Sequence, residues 1–141
     1  MISTQRAESP LGSLYHWHTV LIVDDDPQVL AALRRVLDRE PYDVVTTDRP
    51  ALALEWMGTK NVSLAISDQL MPEMDGGEFL ENVWRQSPLT GRLLLTGYPD
   101  RVGRIPMVKR GLLQVMTKPW DDLELKRTIR TLLREREGST E

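Results

Sequence analysis

With 141 residues, of which 40% are hydrophobic and 28% charged, the chain reads as one globular domain and not as a disordered segment. Its formal net charge of -3 argues against a nucleic-acid-binding surface, and the absence of cysteine excludes disulfides, thiol catalysis and thiolate metal sites while fitting a reducing cytoplasm. No apolar run approaches the roughly 20 residues of a membrane helix, and the N-terminus lacks the basic-then-apolar pattern of a signal peptide, so a cytoplasmic location is expected.

Residues 1–18 mix Ser, Pro and Gly without a sustained period and read as a leader or linker. The run Tyr15, His16, Trp17, His18 admits a metal or partner reading, beside those of a vector scar or a docked aromatic arm. From Thr19 the pattern alternates. Thr19–Val23 is a short β-branched strand ending at Asp24. Asp26 then reads as a helix cap, with Pro27 opening a helix to about Glu40 on the stripe Val29, Leu30, Leu33, Val36 and Leu37. Asp43–Thr46 is a second strand, and Asp48 with Pro50 opens a helix to about Gly58. Val62–Ser67 is a third strand, followed by an Asp-, Pro- and Gly-rich loop over 68–76 and a helix over Gly77–Gln86. Arg92–Thr96 is a fourth strand. Residues 99–110 are weakly helical, interrupted by Gly103 and Pro106. Leu113–Thr117 is a fifth strand, and Asp121–Glu135 a final helix with Leu125, Ile129, Leu132 and Leu133 inward.

Five strands alternating with five helices imply an α/β fold, a doubly wound five-stranded parallel sheet covered on both faces. Ligands bind such sheets at the carboxyl ends of the strands. Those ends carry Asp24, Asp25 and Asp26, then Asp68, then Thr96 and Gly97, then Lys118 and Pro119. Each is ordinary alone, since Asp caps helices, Thr belongs in strands and a single Lys is usually solvated. Carboxylates gathered on one rim repel, and a hard divalent cation with oxygen ligands, such as Mg²⁺, relieves that repulsion.

VLIVDDDP, ISDQLMPEMDG, LLLTG and VMTKPW, in that order, resemble the receiver domain of two-component response regulators over about residues 19–135. The resemblance implies a flavodoxin-like (βα)5 receiver fold in 19–135, with a leader at 1–18 and a C-terminal tail at 136–141. It implies Asp68 as phosphoacceptor, Asp24, Asp25, Asp68 and the Leu70 backbone carbonyl as Mg²⁺ ligands, Thr96 as switch hydroxyl and Lys118 as ion-pairing lysine. Pro119 would follow that lysine, in this family often through a cis peptide. The implied activity is acceptance of a phosphoryl group from a sensor histidine kinase or phosphotransfer protein, in a phosphorelay. The domain would catalyse only its own phosphorylation and dephosphorylation, and is not otherwise an enzyme. A downstream protein partner or fused output domain is implied too, with room for a homodimer through the face around residues 98–135. The wording TGYPD followed by KPWDD is similar to receivers fused to cyclic-di-GMP phosphodiesterase or similar output domains. No effector domain follows Glu135, so the chain reads as a stand-alone regulator or a piece of a longer protein.

Two departures stand out. The family usually has an aromatic three residues before the lysine, where this chain has Val115, and Pro106 falls where a regular fourth helix should run. Arg101, Arg104, Lys109 and Arg110 make that segment locally basic. The rival reading is a receiver-like interaction module that works without phosphorylation. A flavodoxin-like nucleotide binder lacks support, because acidic residues occupy the turn where a Gly-rich phosphate loop would sit.

Overall fold

The computed structural model describes residues 2–6 and 18–139. Six strands form one sheet: β1 (Ser3–Gln5), β2 (Thr19–Val23), β3 (Asp43–Thr47), β4 (Leu64–Asp68), β5 (Gly91–Thr96) and β6 (Gln114–Thr117). Their spatial order is β1-β3-β2-β4-β5-β6. The last five in chain order pair in parallel, as the alternation of strand and helix predicts. β1 is an addition. It pairs antiparallel with the outer edge of β3, Thr4 opposite Val45, inside the stretch read from sequence as a leader. Three residues are too few to display a period, and backbone pairing along an exposed edge needs none. Gln5 also donates from Nε2 to the Arg34 carbonyl at 3.1 Å.

The helices are α1 (Pro27–Val36), α2 (Pro50–Met57), α3 (Gly76–Gln86), α4 (Pro106–Lys109) and α5 (Asp122–Ser139), with a 3-10 helix at Pro99–Arg104. Asp26 caps α1 by accepting from the Gln28 N–H. The cap of α2 is Arg49 and not Asp48, and it makes no side-chain cap bond. With Pro50 in the first position one orphan N–H is already gone, which weakens the demand for an acidic cap. Pro106 is the first residue of α4, so the proline starts a short helix instead of breaking a longer one. The last helix outruns the expected end at Glu135 and continues to Ser139.

Successive residues of each strand feed opposite layers. Val20 and Ile22 pack with Leu33 of α1 and with Ile129 and Leu133 of α5. Leu21 and Val23 pack with Ala53 of α2 and with Phe79 and Leu80 of α3. Both layers are buried, and a buried Leu, Ile or Phe contributes about 1.5–3 kcal/mol relative to exposure. No helix among the described residues is long and apolar enough to cross a membrane.

Of the aromatic-histidine run, Tyr15, His16 and Trp17 lie outside the described residues. His18 is 1% exposed. Its Nδ1 is 2.7 Å from Ser63 Oγ and its Nε2 is 2.9 Å from Glu137 Oε1. Both ring nitrogens are therefore engaged, which removes His18 from the metal reading.

Candidate functional site

The sheet order reverses at β2, which has β3 on one side and β4 on the other. The crevice at such a reversal is where open parallel sheets bind ligands. β2 delivers Asp24 and Asp25 there, and β4 ends in Asp68. One carboxylate oxygen from each of Asp24, Asp25 and Asp68 lies within 4.8 Å of the others, a set that could hold a metal ion. Their burial differs: Asp24 is buried, Asp68 half-buried and Asp25 exposed. Such an all-oxygen, carboxylate-rich donor set suits a hard cation.

Lys118 arrives from the end of β6. Its Nζ lies 2.7 Å from Asp24 Oδ2 and 3.0 Å from Asp68 Oδ1. Burial alone would lower the lysine pKa, but hydrogen bonds and charge from Asp24 and Asp68 outweigh it and hold the ammonium above its ordinary range. At Asp24 the balance goes the other way. Burial raises its carboxyl above the usual range in spite of bonds from Lys118 and from the Asp26 N–H. The Lys118–Pro119 peptide is cis.

Thr96, 1% exposed, ends β5 beside this cluster in the sheet. Its carbonyl accepts the Lys118 N–H at 2.8 Å, and its Oγ1 accepts the Tyr98 N–H at 3.0 Å. Leu70, in the loop after β4, and Tyr98, in the loop after β5, expose 58% and 51% of their surfaces. The Arg101 guanidinium carbon sits 4.7 Å from the centre of the Tyr98 ring. Val115 is half-buried against the α2–α3 layer.

A family model described as the response regulator receiver domain matches residues 20–130. The chain belongs to the response regulator receiver family. Receivers of known structure share its architecture. The signal receiver domain of an HD domain-containing protein from Pseudomonas fluorescens Pf-5 superposes with a TM-score of 0.83 at 29% identity, over 92% of this chain and 96% of that one. Response regulator protein TrrA from Thermotoga maritima, solved in complex with Mg²⁺-BeF, gives a TM-score of 0.72 at 26% identity, over 82% of this chain and 98% of that one. The hydrogenase transcriptional regulatory protein HoxA of Cupriavidus necator is 37% identical over 79% of this chain, which spans 23% of that protein's length.

Among the expected receiver residues, Asp24, Asp25, Asp68 and Lys118 come together, with Thr96 at the adjoining strand end. The sequence reading passed over Gln69. Its Oε1 accepts the Gly77 N–H at 2.9 Å and so fastens the loop after Asp68 to the start of α3. The available signal was an amide side chain directly after the acidic strand end, followed by paired glycines at the next helix start.

Proposed function

We propose that this receiver takes a phosphoryl group onto Asp68 from a phosphohistidine of a sensor histidine kinase or phosphotransfer protein, in a Mg²⁺-dependent step, and signals by the conformational change that follows. The observation carrying this reading is the bridge from Lys118 to both Asp24 and Asp68 within a cluster that also includes Asp25. Mg²⁺, when bound, neutralises phosphoryl oxygens. Asp24, Asp25, Asp68 and the Leu70 carbonyl are the groups that would hold it. Asp68 attacks phosphorus through a carboxylate oxygen; the new O–P bond forms as the P–N bond to the donor histidine breaks, and the electron pair leaves with the imidazole. Lys118 places a positive charge against a phosphoryl oxygen. Thr96 donates a hydrogen bond from its hydroxyl to another oxygen.

The charge gained is about −1.5 to −2, with three strong acceptors, enough to bias a two-state loop. The phosphorylatable unit is residues 19–135. Val115 favours a second reading, an interaction module independent of phosphate, because no aromatic occupies the position that usually couples to the switch hydroxyl. One assay separates the two. Wild type treated with a small phosphodonor and Mg²⁺ should gain one phosphate by mass spectrometry, and Asp68→Asn should gain none. An unmodified wild type leaves the interaction module as the better account.

A further inference from the structure

Gln69 closes the loop between Asp68 and α3 twice. Its carbonyl accepts the Gly76 N–H at 2.9 Å, and its side-chain Oε1 accepts the Gly77 N–H at 2.9 Å. Both donors belong to the first turn of α3, whose N–H groups have no partner inside the helix. Asp75 supplies the remaining cap by accepting from Glu78 at 2.8 Å. The first turn of α3 is thus bonded to the residue that follows Asp68 in the chain.

The paired glycines then make two tight contacts. A Cβ on Gly76 would stand 2.1 Å from the carbonyl oxygen of Asp68, so the helix start is pressed against the backbone of the acidic residue itself. A Cβ on Gly77 would stand 3.2 Å and 3.3 Å from Cγ2 and Cδ1 of Ile105. Ile105 joins the 3-10 helix to α4: its N–H donates to the Val102 carbonyl at 3.0 Å, and its carbonyl accepts the Lys109 N–H at 3.1 Å. Asp68, the α3 start and the Pro99–Lys109 segment therefore touch in succession. Gln69, Gly77 and Ile105 also line one surface cavity, so the Gly77–Ile105 contact is the bridge across its edge. Val115, by contrast, carries no ring that could link β6 to the same segment.

We propose that Gln69 is a positioning residue that couples the state of Asp68 to the Pro99–Lys109 segment, through the first turn of α3 and the Gly77–Ile105 contact. The coupling rests on phosphorylation of Asp68 as read above. Gln69→Met keeps a similar length but offers the Gly77 N–H only a weakly accepting thioether sulfur, so it loosens the connection while leaving every carboxylate in place. Gly77→Ala brings a methyl group to 3.2–3.3 Å from the Ile105 side chain, which must give by a few tenths of an ångström, so it perturbs the contact from the other end.

The test is hydrogen exchange of residues 99–110, with and without Mg²⁺ and beryllofluoride. Binding of the phosphoryl mimic is read separately by fluorine NMR. Wild type should change exchange there by about fivefold or more on binding. Gln69→Met should bind the mimic yet lose most of that change. Gly77→Ala should alter exchange of residues 105–110 before any mimic is added, which keeps the idea testable should Gln69→Met fold poorly. A wild-type response retained in both variants overturns the coupling. Failure of wild type to bind beryllofluoride overturns the phosphorylation reading instead, and the fluorine signal tells the two failures apart.

Discussion

The carboxylates of the site are unequal because their surroundings are. Asp24 is 2% exposed, holds Lys118 at 2.7 Å and accepts the Asp26 N–H at 2.9 Å, so both of its oxygens are committed within the protein. Asp25 is exposed and is the member best placed to change partners when a cation arrives. Asp25→Ala should therefore abolish the tightening of Mg²⁺ binding by beryllofluoride, with little change in thermal stability. Titration by tryptophan fluorescence checks this, since Trp120 follows Lys118 by two residues, and equal Mg²⁺ affinity in variant and wild type would remove Asp25 from the ligand set. Leu70 lies two residues after Asp68 and Tyr98 two after Thr96, both exposed, and neither carries an amide or carboxylate that could orient a water. Positioning is most of the catalysis in phosphoryl transfer. Leu70→Asn combined with Tyr98→Glu should shorten the lifetime of phosphorylated Asp68 by about tenfold, equivalent to about 1.4 kcal/mol of barrier. Decay of the adduct after donor removal, at constant Mg²⁺, measures it; an unchanged rate means that these side chains do not govern water access.

At the scale of elements, close approach at the start of α3 dictates the residue type. Gly76→Ala would place a methyl group on the Asp68 carbonyl and against Leu94 Cδ1, so either α3 or β4 must shift. A loss of about 1–3 kcal/mol is expected by urea denaturation, as for other overpacked sites. The ends of strands and the apolar stripes of helices were legible in the sequence because each repeats a period long enough to see. Val20 to Val23, Leu30 with Leu33, and Leu125 with Ile129 all reached the core as patterned. The converging acidic residues were legible as well, through four motifs in order. What escaped was set by single contacts between distant parts of the chain. Gln69 capping a helix eight positions ahead leaves no periodic trace. Neither does His18 meeting Glu137 from the far end of the chain, nor a three-residue strand that needs only an open edge.

Across the whole molecule, β1 closes one side of the sheet with little material: three paired residues, the Gln5 bond to Arg34 and an exposed 3.4 Å ion pair from Arg6 to Asp43. Deleting residues 1–6 bares the β3 edge, and exposed edges invite pairing between chains. The truncated protein should lose about 1 kcal/mol of stability and self-associate more strongly in sedimentation velocity; a monomer indistinguishable from the full chain would show that the edge is guarded by something else. The two ends of the sheet also differ in kind. Asp24, Asp25, Asp68 and Lys118 gather at one end. At the other, Glu137 binds His18 and Arg136 Nη2 donates to Asn61 at 2.7 Å, so the far end of α5 is fastened to the starts of β2 and β4. α5 is 18 residues, about 27 Å at 1.5 Å per residue. Its first turn follows Lys118 by only a few residues. A helix bonded at its tail, buried along its length through Leu125, Ile129 and Leu133 and tied in its middle by Arg130 to Glu40 at 2.8 Å, is seamed to the sheet from end to end, so a push beside Lys118 meets a whole packed layer and not a hinge.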